Sequence, residues 1–108
     1  MVELLVRLTA AAGRSQELIQ SLRSVMRGLQ SQGVCQAAHA SSDVDDQNVV
    51  WYCEEWAGID DFERHLRSEP FARLLSVIET AASAPSIECR VVSETRGLDY
   101  LAAVRASR

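Results

Sequence analysis

Val49-Val50-Trp51-Tyr52-Cys53-Glu54-Glu55-Trp56 is a run of eight residues without Gly or Pro. Its β-branched and aromatic content reads as a central β-strand. Side chains alternate across a strand, so one face carries Val49, Trp51, Cys53 and Glu55, and the other carries Val50, Tyr52, Glu54 and Trp56. A sheet in a small α+β domain gives one face to its helices and the other to water. Large apolar side chains on both faces therefore call for a second cover, and a partner subunit is the simplest one.

Outward from this strand, Val2 to Thr9 alternates Val2, Leu4, Val6 and Leu8 against Leu5 and Arg7, which predicts a first strand. Gly13 ends it. Ser15 can cap a helix in which Leu18, Leu22, Val25, Met26 and Leu29 recur at helical spacing, ending before Gly33. Val34 to Ser41 is a strand of smaller residues, joined to the central strand by the polar turn Asp43 to Asn48. That Asp cluster lacks the Gly and the distal Glu of a calcium loop, so it reads as a solvated turn.

Beyond Gly58, Ile59, Phe62 and Leu66 predict a short helix that stops before Pro70. Pro70 then starts a second segment expected to bury Phe71, Leu74, Leu75 and Ile78. Ser86 to Glu94 alternates as a fourth strand. Leu98, Leu101, Ala102 and Val104 suggest one short helix in the tail. The order strand, helix, strand, strand, helix, strand, with right-handed crossovers, predicts an α+β fold: a ferredoxin-like βαββαβ domain over residues 1–95. Its four-stranded antiparallel sheet has both helices on one face, and residues 96–108 form a tail.

Composition narrows the function. The chain has 108 residues, 47% of them hydrophobic, enough for one domain with a real core. A net charge of -4, with eleven scattered Arg as the only basic residues besides His, speaks against nucleic acid as a partner. Cys35, Cys53 and Cys89 lie in apolar runs without a CxxC pair, which fits buried reduced thiols and a cytoplasmic location. The N-terminus shows no secretion signal and no apolar run reaches bilayer length, so a soluble, unprocessed protein without membrane contact is expected. His39 and His65 stand 26 positions apart with no HxxxH pattern, which leaves no recognisable metal ligand set.

The turn Asp43 to Asn48, the strand end Glu54-Glu55-Trp56, the helix piece Phe62-Glu63-Arg64-His65-Leu66-Arg67-Ser68 and the restart Pro70-Phe71 together resemble the antibiotic biosynthesis monooxygenase-like domains of the dimeric α+β barrel group. The resemblance spans about Val2 to Val92. It implies a homodimer in which two sheets pack face to face, and a ligand cavity between sheet and helices into which Trp56 projects. It also implies a range of activities, from cofactor-free oxidation of quinols and anthrones to haem degradation and isomerisation of small carbonyl compounds. Haem-degrading relatives keep an Asn and a ligating His where this chain has Val6 and Leu75, so no haem and no other cofactor is expected. Quinol-oxidising relatives often carry an Asn at the position of Tyr52.

The candidate site therefore gathers on the face of Tyr52, Glu54 and Trp56. If the hairpin pairs odd positions of the second strand with even positions of the third, Cys35, Ala37 and His39 join them. His39 and Glu54 are then the candidate catalytic base, and Tyr52, Trp56 and His65 the candidate substrate-binding residues. Each has a plainer reading: Trp56 and Tyr52 as core, Glu54 as the partner of an Arg, His39 as a satisfied structural histidine. His65, one position before the apolar Leu66, reads either as helix surface or as the mouth of the cavity. The expected function is a cofactor-free monooxygenase or oxidase of a small quinol- or anthrone-like aromatic. The alternatives are a non-catalytic dimer that binds a small hydrophobic ligand, and a small-carbonyl isomerase.

Overall fold

The computed structural model describes residues 1–30 and 33–107. Eight elements follow one another: β1 (Val2–Thr9), α1 (Ser15–Gln30), β2 (Cys35–Ser42), β3 (Val49–Trp56), α2 (Ile59–Leu66), α3 (Glu69–Ile78), β4 (Ser86–Val91) and α4 (Leu98–Ala106). The strands form one antiparallel sheet in the order β2-β3-β1-β4. This is the ferredoxin-like arrangement, with the quoted run as β3, an inner strand. The expected end of α1 before Gly33 falls partly on residues 31–32, outside the described residues.

One face of the sheet is packed. Val2, Leu4, Val6 and Leu8 of β1 and Val50, Tyr52 and Trp56 of β3 meet Leu18, Leu22, Val25 and Leu29 of α1, Phe62 of α2, and Leu74 and Ile78 of α3. Period-two burial in the strands and i, i+3/i+4 burial in the helices are the two patterns that the sequence carries. Pro70 sits in the first turn of α3, where its missing N–H goes unmissed, so α2 and α3 remain separate helices. The second segment buries Leu74 and Ile78 as expected, but Leu75 lies on its flank and is partly exposed.

The hairpin between β2 and β3 departs from expectation by one residue. Cys35 pairs with Trp56, yet Ala37 pairs with Glu55, so Gln36 is an extra residue in β2. This bulge shifts the rest of the strand by one position and turns each later side chain to the other face. Ala38 and Ala40 stand opposite Glu54 and Tyr52, while His39 pairs with Cys53 on the uncovered face and is exposed. His39 and Ala37 do not join the face of Tyr52, Glu54 and Trp56.

The Asp43 turn serves as backbone scaffolding. Asp43 Oδ2 accepts hydrogen bonds from the backbone N–H groups of Asp45 and Asp46, both at 3.0 Å, and its Oδ1 accepts one from Trp51 Nε1 at 3.0 Å. These donors, the indole first, hold the Asp43 carboxyl below the usual carboxylate range.

Two further differences concern exposure. All six residues of β4 are exposed and the strand ends at Val91 instead of Glu94, so Cys89 is an exposed thiol and not a buried one. Burial pushes the half-buried Cys35 and Cys53 thiols up. Among the described residues no helix is long and apolar enough to cross a membrane.

Candidate functional site

Three consecutive inward positions of β3 supply most of the site. Tyr52, Glu54 and Trp56 follow one another at i, i+2 and i+4 on the helix-covered face, so their polar tips converge. The Tyr52 hydroxyl donates to Glu54 Oε2 at 2.6 Å and Trp56 Nε1 donates to Glu54 Oε1 at 3.0 Å. Glu54 is wholly buried, with 0% of its surface exposed. A buried carboxylate is costly unless it is hydrogen-bonded and paired, and here two neutral donors from its own strand meet one oxygen each.

The third neighbour comes from α2. His65 is 4% exposed and brings Nε2 to 2.8 Å from Glu54 Oε1. This approach lies outside hydrogen-bond alignment, so the buried Nε2 has close electrostatic contact with the carboxylate but no directed hydrogen bond. Stacking fixes the ring: the imidazole lies on the Trp56 indole with centroids 4.4 Å apart and planes at 27°, and Phe71 meets it edge-on at 5.5 Å. On its other side, His65 Nδ1 is 3.4 Å from Ser68 Oγ, which itself donates to the His65 carbonyl at 2.6 Å.

The helical phase of α2 explains the inward His65. Phe62 and His65, three residues apart, face the sheet, while Leu66 lies on the flank with 39% of its surface exposed. Reading Leu66 as the core position and His65 as its surface neighbour is thus reversed. The signal available in the sequence was the i, i+3 pair of Phe62 and His65, outweighed there by the greater apolarity of Leu66.

Next to this cluster a cavity of about 170 Å³ is lined by Val34, Trp56, Asp61, Arg64, His65 and Ser68. Two larger hollows, of about 430 Å³ beside Arg14 and Thr80 and about 270 Å³ on the open sheet face, contain none of the inward β3 residues. At the rim of the small cavity Arg64 Nη1 pairs with Asp61 Oδ1 at 3.0 Å.

The arrangement can hold and move a proton. Tyr52 acts only as a donor, because burial, reinforced by the Glu54 carboxylate beside it, drives its phenol pKa far above the ordinary value. His65 stands between the Glu54 carboxylate near Nε2 and the Ser68 hydroxyl near Nδ1, and stacking on Trp56 fixes its ring plane. Of the sequence candidates, the structure brings together Tyr52, Glu54, Trp56 and His65 and leaves His39 on the opposite face. Ser68, which the sequence reading did not single out as a site residue, joins them. Phe71 packs edge-on against the imidazole from outside the lining of the cavity.

Comparison with known proteins agrees with this fold. A solved antibiotic biosynthesis monooxygenase superposes with a TM-score of 0.72 at 16% identity, over 87% of this chain and 100% of the other. A provisional antibiotic biosynthesis monooxygenase from Deinococcus radiodurans gives 0.78 at 17% identity, over 91% and 98%. A protein from Pseudomonas aeruginosa gives 0.67 at 24% identity, over 84% and 94%. At such identities these likenesses speak for the fold alone. No curated protein matches the chain significantly. The profile of the antibiotic biosynthesis monooxygenase family matches residues 1–75, the stretch that contains β3, the Asp43 turn and the whole Glu54–His65 cluster, and the chain belongs to that family.

Proposed function

We propose that the protein is a cofactor-independent monooxygenase of a small, single-ring quinol, with His65 as the base, its ring held by stacking on Trp56, and Glu54 as the neighbouring negative charge that stabilises the imidazolium formed during turnover. The observation that carries this reading is the buried Glu54–His65 contact of 2.8 Å at the wall of a cavity floored by Trp56. His65 Nδ1 takes a hydroxyl proton from the bound ring, Nε2 keeps its proton toward Glu54, and the carboxylate stabilises the imidazolium. The resulting quinolate is electron-rich enough to reduce oxygen itself. Dioxygen and quinol then give a hydroxyquinone and one water: one oxygen atom enters a ring carbon, the other leaves with the two hydrogens released, and all electrons come from the substrate.

Size selects the ring. An enclosed cavity of about 150 Å³ accommodates one benzene, so the half-open space of about 170 Å³ beside Trp56 and His65 suits a single ring best. Arg64 at the rim is placed to meet an anionic substituent, although its pairing with Asp61 makes that attraction weak. A second copy of the chain is the proposed cover for the open sheet face, where Trp51 remains 40% exposed with the Arg7 guanidinium 5.8 Å above its ring.

Oxygen-electrode assays with a panel of single-ring quinols test the activity. Saturable uptake of one O₂ per quinol, with hydroxyquinone as product, is expected. Binding of such rings without oxygen uptake would leave a non-catalytic ligand-binding protein as the better reading. For this second reading speaks the engagement of both Glu54 oxygens by Tyr52 and Trp56, which a purely structural polar core would also show.

A further inference from the structure

The C-terminal helix α4 is a nine-residue helix with no covered face. Every residue from Leu98 to Ala106 is exposed, Leu101 by 61%. Isolated helices shorter than about 12 to 15 residues are marginal in water, and most helix stability in proteins comes from packing an apolar face. Leu98, Leu101 and Val104 recur at i, i+3 and i+6 along one side of the helix, which Arg105 shares, while neighbouring Tyr100 is occupied by the Arg96 guanidinium, 4.5 Å from its ring. The helix therefore offers apolar side chains for packing, and none of its residues is buried among the described residues of one chain.

The same chain holds a complementary vacancy. In β4, Ile87, Cys89 and Val91 stand opposite Val6, Leu4 and Val2, and so point to the side of the sheet that the helices cover. Their β1 partners are buried, but the helix layer stops short of β4: Ile87 and Val91 are exposed, Val91 by 71%. One strand's width of apolar sheet lies bare next to the helices. Val92 N–H bonds to the Met1 carbonyl at 2.8 Å and prolongs the β-ladder, and the run to Gly97 carries the exposed 2.7 Å ion pair of Arg96 with Glu94.

Whole-chain dimensions give the scale of what is unburied. The radius of gyration is 16.1 Å, where about 13 Å is expected for a folded chain of this length. The accessible surface is 7266 Å², against ~5,900 Å² for a compact monomer of 11.9 kDa. The excess of roughly 1,300 Å² exceeds the ~800 Å² that each partner contributes to a standard stable interface. Both the arm and its receptor belong to one sequence, so a two-fold exchange satisfies each surface twice without any other partner.

We propose that α4 is an exchanged arm: in a homodimer, Leu98, Leu101 and Val104 of one subunit cover Ile87, Cys89 and Val91 of the other. Cys89 supplies the reporter. Leu98→Cys, Leu101→Cys and Val104→Cys are each combined with Cys89→Ser and co-expressed with a chain that retains only its native thiols, followed by mild oxidation with diamide. A covalent dimer whose mapped disulfide joins Cys89 of one chain to the new thiol of the other, for at least one position, is the expected result. If none of the three positions crosslinks in trans, or if the corresponding single variants that keep Cys89 yield only an internal disulfide, the exchange is overturned. Independently, the double variant Leu101→Asp/Val104→Asp, at exposed sites outside the core, should keep the near-ultraviolet signal of the folded core and raise the dimer dissociation constant at least ~10-fold by sedimentation equilibrium. An unchanged dissociation constant would overturn the proposal as well.

Discussion

Glu54 takes two hydrogen bonds from its own strand and faces one imidazole, so its charge and its hydrogen bonds can be removed separately. Glu54→Gln keeps the shape and an acceptor oxygen. If the carboxylate stabilises an imidazolium during turnover, quinol oxidation falls by ~10² to 10⁴ fold with the melting temperature nearly held. Glu54→Leu strands the Tyr52 and Trp56 donors and should cost ~3 to 5 kcal/mol of stability. A structural ion pair would show the opposite for Gln, with stability lost and activity spared. Tyr52 carries a pH signature. Its folded-state pKa lies above that of the unfolded chain, so the proton it keeps stabilises the fold fully below pH ~10, and that stability is lost as pH rises further, by about 1.4 kcal/mol per pH unit. Urea titrations from pH 9 to 11 should show the stability advantage of wild type over Tyr52→Phe shrinking above pH ~10. A constant difference would contradict the buried, donating phenol.

At the scale of elements, the strands and helices are legible because each carries one strong period. β1 alternates Val2, Leu4, Val6 and Leu8, and all four are buried; α1 repeats Leu18, Leu22, Val25 and Leu29 at helical spacing. What escaped is what a period cannot encode. Gln36 bulges without a Gly or Pro to mark it, and that one extra residue carries His39 to the far face. The partial exposure of Leu66 and Leu75 escaped because apolarity alone does not set the phase of a short helix. The inward triplet Tyr52, Glu54 and Trp56 was legible, since it depends only on alternation within one strand. The role of the Asp43 turn is testable on its own. Its carboxyl is depressed, so its contribution is present above the ordinary carboxylate pKa and lost as pH falls through the lower folded value. Asp43→Ala should lower the melting temperature by a few degrees at neutral pH, with the deficit shrinking below about pH 4. Thermal scans at pH 7 and pH 3 with equal deficits would contradict this.

For the whole molecule, the sheet separates two tasks: the helix-covered face holds the candidate site, and the open face and β4 remain to be covered. The open face is more polar than the sequence of β3 alone implied, because Arg7, Glu88 and Arg90 surround Trp51 there. Charges of both signs on one surface suit pairing with its own copy. If a second copy covers this face, Trp51→Glu, which replaces a large apolar side chain there by a charge, should shift the protein from about twice 11.9 kDa to monomer by light scattering, with its spectrum retained; a dimer that persists unchanged would remove the sheet face from the interface. The central claim is that His65, stacked on Trp56 beside Glu54, is the base for oxidation of a single-ring quinol. Oxygen uptake measured side by side for the wild type and His65→Gln, at saturating quinol and with matched folding, tests it most directly. The account predicts saturable uptake by the wild type and a fall of ~10² to 10⁴ fold in the variant, whereas equal rates in the two proteins, or none above buffer in either, would contradict it.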